Sequence, residues 1–367
     1  MVCKKQENKN MKNETKKIVF FTPSLNIGGI EKVFITYANQ MCNNDDYEIS
    51  YTYCKEHGLL ERQLSSKIRK YSLGNIKLRN SLIPLIKMLK KVKPDYIISG
   101  GDFPNIISII ASLCTGKTKC IISHHNYPNI EHKNNTLRNF LIGFIYNRAY
   151  KVISVSKGIS EYLYSIGVKN KKVYTIYNPL DFKDIESKSQ VNIGIDIKNE
   201  YLIYIGRLSP VKNLPMLIEA YNIVKQQYSD LKLVIVGDGS YKDSLIEKIK
   251  DMHLTQDIIL TGALSNPFPL MLSSKAVLLS SLSEALPTVI LESFALGKKV
   301  VSTPTNGALD LLADGTYGYL SASISSELDF ANAIFDALSS NINEQIVKEY
   351  AMSFSSELKT SELCSLL

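Results

Sequence analysis

Short, nearly all-apolar segments recur along this chain, and each is followed by a segment with helix-like spacing. Strands of this kind are typical of parallel sheets that helices cover on both faces. The predicted strands are Lys17–Thr22, Glu48–Tyr53, Tyr96–Ser99, Cys120–Ser123, Val152–Val155, Val173–Ile176, Tyr201–Ile205, Lys232–Val236, Ile258–Leu260, Ala276–Leu279 and Val300–Val301. The predicted helices between them include 30–42, 215–228, 241–252 and 288–296.

The 367 residues are enough for two domains. The repeated β-α-β order predicts an α/β protein of two doubly wound, Rossmann-like sheets that face each other across a cleft, where the ligand binds. The polar stretch 181–190 marks the boundary. We expect a polar tail at 1–15, a first domain at 16–185, a second at 186–345 and a helical segment at 346–367.

The chain begins with polar residues and contains no run of eighteen apolar residues, so we expect neither a signal peptide nor a spanning helix. Its six cysteines are scattered, without a C-x-x-C pair, and we interpret them as reduced thiols. These features predict a cytoplasmic protein, or one at the inner face of the cell membrane.

The positive charge is concentrated in the first half of the chain. Residues 1–190 contain 30 Lys and Arg against 15 Asp and Glu, whereas residues 191–367 contain 13 against 20. An excess of this kind indicates an anionic partner, such as lipid headgroups or a phosphorylated substrate. No recognition-helix or aromatic ribbon pattern favours nucleic acid, which we do not expect as a partner.

Two stretches of the basic half mix cations with large apolar residues. The first runs from 67 to 93, and the second from Arg138 to Lys151. Such a pattern is typical of an amphipathic helix at a membrane surface. The alternative is a helix that packs its apolar side on the core and leaves its lysines in water.

Two predicted strands lead into turns that could hold phosphate. The first strand leads to Gly28-Gly29, where backbone amides at a helix start can approach an anion, although a simple tight turn is the alternative. Arg207 and Lys212 follow the first strand of the second half. A planar guanidinium and a compact ammonium five residues apart can converge on one diphosphate, unless both are ordinary solvated loop cations.

The most specific constellation is Glu284 followed by Glu292. Pro287 suits the first turn of a helix, and the apolar run Thr288–Leu291 places Glu292 in a partly buried helix. A carboxylate is costly to bury unless it has a partner, which could be a ligand or a local side chain.

Six motifs in order together resemble the family 4 glycosyltransferases of the GT-B fold. They are Gly28-Gly29-x-Glu31, His125-Asn126, Asn178-Pro179, Gly206-Arg207-x4-Lys212, Gly237-Asp-Gly239 and Glu284-x7-Glu292. The sequence from Glu284 to Glu292 is similar to that of bacterial members that build surface polysaccharides such as O-antigen, capsule or exopolysaccharide. The resemblance implies a nucleotide-sugar donor, usually a UDP-sugar, a glycan or polyprenyl-diphosphate-linked acceptor, and retention of the anomeric configuration.

The resemblance also implies roles for particular residues. Arg207 and Lys212 would hold the donor diphosphate, Glu292 the ribose, and Glu284 the donor sugar. His125 would lie near the reacting sugar, and the Gly28-Gly29 loop near the phosphate and acceptor. The backbone that leads into the helix completes the expected donor site, through Ala285, Leu286, Pro287 and Thr288. Ala285 stands where the family usually has Gly, and Asp310 where Glu is commoner.

We expect no metal and no cofactor, because the chain has no Asp-x-Asp and cations can stabilise the leaving group. His124, His125 and His132 with Glu131 could imitate a metal site, but no Cys or carboxylate triad joins them. Gly116-Lys117-Thr118 lacks the first glycine of a P-loop. Two other functions stay open: a UDP-sugar 2-epimerase on the same scaffold, or a non-catalytic nucleotide-binding partner.

Overall fold

A computed structural model describes residues 15–26, 28–56, 58–125, 136–340 and 343–367. Almost all of the predicted polar tail therefore lies outside the described residues, as do Asn126, Glu131 and His132. Contacts divide the chain into two units, Met1–Ile122 and Ser123–Leu367. This division falls inside a strand.

The described residues contain thirteen strands and fourteen α-helices. The strands are β1 (Lys16–Ser24), β2 (Tyr47–Lys55), β3 (Arg69–Ser72), β4 (Tyr96–Gly100), β5 (Lys119–His124), β6 (Lys151–Ser154), β7 (Val173–Thr175), β8 (Tyr201–Ile205), β9 (Lys232–Val236), β10 (Ile258–Gly262), β11 (Ala276–Leu279), β12 (Lys299–Ser302) and β13 (Tyr319–Leu320). The helices are α1 (Gly29–Met41), α2 (Leu82–Val92), α3 (Asp102–Thr115), α4 (Thr136–Tyr146), α5 (Lys157–Ser165), α6 (Phe182–Ser189), α7 (Leu214–Gln227), α8 (Lys242–Asp251), α9 (Phe268–Ser273), α10 (Thr288–Ala295), α11 (Asn306–Leu312), α12 (Glu327–Ser339), α13 (Glu344–Met352) and α14 (Ser356–Cys364).

The strands form two sheets. In the described part of the chain, a seven-stranded sheet has the order β3-β2-β1-β4-β5-β6-β7, and a six-stranded sheet has the order β10-β9-β8-β11-β12-β13. The central pairs β1–β2, β1–β4, β8–β9 and β8–β11 are all parallel. The predicted α/β class with two doubly wound sheets is confirmed.

The prediction missed two strands, and both lie at sheet edges. β3 pairs with β2 alone, and three of its four residues are exposed. β13 is only two residues long and pairs with β12. An edge strand that faces water lacks the apolar run by which a buried strand is recognised.

In each sheet the first strand in the sequence lies in the middle of the sheet, and its apolar side chains are almost entirely buried. In the first unit, the Phe20 ring of β1 packs edge-on against Phe34 of α1 and stacks on Tyr51 of β2. In the second unit, β8 is buried among α7, α8 and α12, with Leu202 and Tyr221 in the same cluster. These cores hold the strands rigidly, so the loops that follow them start from fixed points.

The two basic stretches differ in structure. The first, 67–93, is not one helix, because it contains β3, a 3₁₀ turn (Leu78–Asn80) and α2. Leu85, Met88 and Leu89 of α2 are buried. This helix therefore packs its apolar side on the core, as the alternative interpretation expected. The second stretch contains α4, whose outer apolar residues are exposed. None of the helices described by the structure is long and apolar enough to cross a bilayer.

Candidate active site

The second sheet brings four loops together at one edge. Since its strands are parallel, the loops after β8, β9, β11 and β12 all leave from the carboxyl ends of strands, which is where ligands of such sheets bind. The predicted residues Arg207, Lys212 and Glu284 lie in these loops. Strands far apart in the sequence therefore supply one candidate site.

Glycines allow the loops after β8 and β9 to touch backbone to backbone. A Cβ at Gly237 would lie 1.9 Å from the carbonyl oxygen of Gly206, and a Cβ at Gly239 would lie 2.2 Å from that of Leu208. The amide of Leu208 also donates to the carbonyl of Asp238 at 3.0 Å. The Gly237-Asp-Gly239 motif thus supports the backbone on either side of Arg207.

Arg207 is held by its backbone and projects from the loop. Its carbonyl accepts a hydrogen bond from the hydroxyl of Tyr204 at 3.0 Å, while its own residue is exposed. Tyr204 is only 2% exposed. Burial, and secondarily the nearby Glu284 carboxylate, raise the pKa of Tyr204, which keeps this anchor neutral and donating.

Lys212 and Glu284 form an ion pair between the loops after β8 and β11. Lys212 Nζ donates to Glu284 Oε1, and Ser281 Oγ donates to the same oxygen at 2.7 Å. The side chains of Lys212 and Glu284 are 24% and 15% exposed, so solvent reaches only a small part of the pair. Ser280 Oγ also donates to the Lys212 carbonyl at 2.7 Å, which fixes the two loops on each other.

The loop after β11 leads into α10, as predicted. Leu286 and Pro287 are buried, Ala285 is half-buried, and Thr288 at the helix start is exposed. No side chain caps the amino end of α10, where Pro287 is the cap residue. Glu292 lies one turn into the helix and is half-buried. The uncapped amino end of α10 is thus next in sequence to Glu284 of the ion pair.

The loop after β12 supports this segment from behind. The Gly307 amide donates to the Glu284 carbonyl at 3.1 Å, and a Cβ at Gly307 would lie 2.7 Å from the Ala285 carbonyl oxygen. Asp310 is turned elsewhere: it accepts from the Tyr177 hydroxyl at 2.8 Å and from the Lys157 amide at 2.9 Å. Asp310 therefore joins the Tyr177 side chain to the backbone at the start of α5.

Gly28 lies in the first unit between β1 and α1, Gly29 is the first residue of α1, and their surroundings differ. A Cβ at Gly28 would lie 2.1 Å from Glu31 Oε2, whereas a Cβ at Gly29 would have no neighbour within 4 Å. Burial raises the pKa of Glu31. Gly28 thus makes room for a carboxyl of the same turn, and Gly29 leaves open space at the helix start.

His125 follows β5 in the second unit. Its Nε2 is 2.8 Å from Ser123 Oγ. Desolvation, and secondarily the neighbouring His124, lower the pKa of His125 to about 3. The imidazole is therefore neutral near pH 7, and it can share a hydrogen bond with an oxygen of a ligand but does not add a positive charge.

Sequence reasoning missed Ser281 and Tyr204, although both lie beside predicted residues. Ser280-Ser281 directly follows the buried strand β11, and hydroxyls at a strand end are a recognisable signal. Tyr204 lies inside β8, where it resembles any core aromatic residue. Its role as an anchor for Arg207 requires the folded loop.

These residues together can bind an anion with hydroxyl groups attached. Arg207 offers an exposed fork of donors, Lys212 an ammonium held by a carboxylate, and α10 an uncapped amino end that favours negative charge. Glu284 can accept hydroxyl hydrogens through the oxygen that its two neighbours do not use.

Two family models match successive parts of the chain. "Glycosyltransferase Family 4" matches residues 27–184, and "Glycosyl transferases group 1" matches residues 186–354. The first range contains the Gly28-Gly29 turn and His125, and the second contains Arg207, Lys212 and Glu284. Together the models extend over most of the chain.

Named bacterial relatives match most of the chain at moderate identity. An N-acetylgalactosamine-N,N'-diacetylbacillosaminyl-diphospho-undecaprenol 4-alpha-N-acetylgalactosaminyltransferase of Campylobacter jejuni is 27% identical over 91% of this chain and 92% of its own. A UDP-Gal:alpha-D-GlcNAc-diphosphoundecaprenol alpha-1,3-galactosyltransferase of Escherichia coli is 25% identical over 80% of this chain and 81% of its own.

A solved structure shows the same fold. Anabaena HepE, crystallised in complex with UDP-glucose, is 21% identical, covers 96% of this chain and 100% of its own, and gives a TM-score of 0.77. The six motifs, the two matched families and this shared architecture agree, so the chain belongs to the family 4 glycosyltransferases of the GT-B fold.

Proposed function

We propose that this glycosyltransferase moves a sugar from a UDP-sugar to a lipid-linked glycan in the synthesis of a bacterial surface polysaccharide. The observation that carries the proposal is the Lys212–Glu284 pair, which lies with Arg207 in the loops at the carboxyl edge of the second sheet. The relatives support the acceptor class, since the names of both specify diphosphoundecaprenol-linked glycans. Uridine as the nucleoside is supported by the E. coli relative's named donor.

In this proposal the donor diphosphate binds Arg207 and the remaining N–H groups of Lys212. An ammonium has three donors, so Lys212 can keep Glu284 while it binds a phosphate oxygen. Fixed cations and the amino end of α10 then stabilise the charge that grows on the leaving diphosphate, which is the largest contribution such a site makes. No metal ion is needed for this step.

Glu284 and Glu292 orient the two ends of the donor. Ser281 and Lys212 both use Oε1 of Glu284, which leaves Oε2 to accept from a sugar hydroxyl. Glu292 accepts from the ribose hydroxyls, one turn into α10. The backbone from Ala285 to Thr288 lines the space between them, and neutral His125 shares a hydrogen bond with an oxygen of the reacting sugar or phosphate.

We propose that the transfer retains the anomeric configuration. The names of both relatives specify α-linked products, and UDP-galactose, the donor that one name includes, is itself an α-glycoside. The bond from the anomeric carbon to the diphosphate breaks, a bond to the acceptor oxygen forms on the same face, and the departing phosphate oxygen takes the acceptor proton. Glu284 then acts as an orienting group, and no covalent intermediate with the protein forms.

The test is transfer from defined UDP-sugars to a polyprenyl-diphosphate-linked glycan, with and without EDTA. The expected product carries one added sugar, has the α configuration by NMR, and forms equally with the chelator. An inverted product would refute retention, and loss of activity with EDTA would refute metal independence. Conversion of the UDP-sugar without acceptor would instead support the epimerase alternative.

A further inference from the structure

The outer face of α4 carries four large apolar side chains in water. Leu137, Phe140, Leu141 and Phe144 are 67%, 66%, 48% and 52% exposed. Their spacing of three and four residues aligns them along one side of the helix for two turns. We call these four residues the apolar stripe. A contiguous exposed patch of this kind marks an interaction surface.

The stripe belongs to a helix that is firmly packed on its other side. Tyr146 is fully buried and Ile142 is 6% exposed. A Cβ at Gly143 would lie 2.0 Å from the Ile166 carbonyl oxygen. The backbone of α4 at Gly143 therefore packs directly against the backbone at Ile166. The stripe therefore faces outward because the opposite side of α4 is the one that fits the core.

Cations lie near the carboxyl end of α4, where the stripe ends. Arg148, Lys169 and Lys171 are exposed, and Lys172 is half-buried. We call these four residues the basic collar. The Arg148 guanidinium lies 3.7 Å from the centre of the Phe144 ring, and the rings of Phe140 and Phe144 stack at 6.4 Å. Arg148 thus joins the stripe to the collar.

The rest of the collar is tied to the same helix end. Lys172 Nζ donates to the carbonyls of Asn147 and Ala149 at 2.8 and 2.6 Å. The Asn147 side chain donates to the Gly167 carbonyl at 2.8 Å and accepts from the Lys169 amide at 2.9 Å. Stripe and collar are consequently parts of one rigid surface of the second unit.

The charge on this surface selects among occupants. Between residues 136 and 175 the chain has seven Lys and Arg and one acidic residue, Glu161. In a symmetric dimer through the stripe, this basic region would lie against the same basic region of the second copy, with like charges opposed. An anionic bilayer offers acyl chains to the stripe and phosphate groups to the collar at the depth each requires.

We propose that the apolar stripe and basic collar form a docking surface through which the protein lies on an anionic lipid bilayer. α4 would lie in the interfacial plane, with its four apolar side chains below the phosphates and Arg148 among them. The inference deepens the proposed lipid-linked acceptor and rests on it for the biological source of the membrane. It also places the bilayer contact on α4, whereas the sequence alone suggested the 67–93 stretch equally.

The test is sedimentation of the full chain with acceptor-free vesicles, so that it does not depend on sugar transfer. Vesicles of phosphatidylcholine, alone or with about 30% phosphatidylglycerol, are compared at about 0.1 M and 0.5 M salt. The variants are Phe140→Ser/Phe144→Ser for the stripe and Lys169→Glu/Lys171→Glu for the collar. Leu328→Ser/Leu358→Ser is the matched control, since these leucines are 56% and 52% exposed elsewhere in the second unit.

We expect the wild type and the control to bind anionic vesicles, and both stripe and collar variants to bind roughly tenfold or more weakly. The collar variant should lose the salt dependence as well. Unchanged thermal midpoints show that the variants are folded. The proposal would be overturned if the wild type did not bind anionic vesicles, or if the stripe variant bound them as tightly as the control. A dimer that only the stripe variant dissociates would also overturn it, since the occupant would then be a second copy.

Discussion

Lys212 and Glu284, 72 residues apart in sequence, form an ion pair that joins the loops after β8 and β11. The pair places a cation and a carboxylate side by side, next to the position proposed for the bond between sugar and diphosphate. Ser281 donates to the same carboxylate oxygen, which leaves the other oxygen available. The loops thus hold two opposite charges ready before a donor arrives, as a preorganised site requires.

Lys212→Met should reduce kcat for sugar transfer by about 100-fold or more, because the enzyme loses a fixed positive charge that stabilises the leaving diphosphate. Ser281→Ala should have a smaller effect, of about tenfold, since Lys212 still holds Glu284. Steady-state kinetics with a saturating acceptor measures both. A Lys212→Met enzyme with wild-type kcat would refute the proposed role, provided that its thermal midpoint shows an intact fold.

Glu292→Ala should abolish stabilisation by UDP, because Glu292 is proposed to hold the ribose. UDP at about 100 times its dissociation constant adds roughly 2.7 kcal/mol to the free energy of unfolding of the wild type. Thermal melting with UDP, GDP and ADP measures the shift. Glu247→Ala, which removes an exposed carboxylate from α8, is the matched control and should respond like the wild type. If GDP or ADP stabilises the protein and UDP does not, the proposed donor is wrong.

Gly28→Ala and Gly29→Ala should differ in their effects on stability. Gly28→Ala displaces the end of the flexible Glu31 side chain, whose Oε2 lies 2.1 Å from the new methyl position, and should lower the thermal midpoint only slightly. Gly29→Ala meets open space and a helical backbone, so it should leave the free energy of unfolding unchanged or raise it by about 0.5 kcal/mol.

The same Gly29→Ala variant should nevertheless lose transfer activity, since its methyl occupies the space proposed for a phosphate. Melting curves and initial rates on the same preparations separate the two effects. Full activity in Gly29→Ala would indicate that the Gly28-Gly29 turn is a structural turn only.

Acid should destabilise the protein through His125. Its pKa in the folded protein is about 3, below its ordinary value near 6.5, so the unfolded chain binds a proton in this interval that the folded protein does not. The contribution of His125 is fully present above about pH 6.5 and is lost as the pH falls toward 3, at up to about 1.4 kcal/mol per pH unit.

His125→Gln keeps a neutral hydrogen-bonding side chain and removes this titration. Urea unfolding between about pH 7 and 4 should therefore give a flatter profile for the variant than for the wild type. Parallel profiles would show that His125 titrates normally in the folded protein.

Much of the site follows from strand ends in the sequence. Arg207 and Glu284 each follow an all-apolar strand, and parallel strands bring such positions to one edge. The hydrogen-bond partner of each side chain could not be predicted in this way, because a hydrogen bond such as that from Ser281 to Glu284 depends on the path of a loop. The edge strand β3 was missed for a related reason, since its exposed residues have no apolar pattern.

The sequence by itself determined the two parallel sheets, the order of their strands along the chain and the motifs that carry the family likeness, because periodicity and short motifs are local. The tertiary structure alone decided which cation meets which carboxylate and which apolar face stays in water. The stretches 67–93 and 138–151 have the same mixture of basic and apolar residues, yet Leu85 and Leu89 are buried while Phe140 and Phe144 are exposed. The physical reason is that burial depends on the surface each helix packs against, and residues distant in sequence supply that surface.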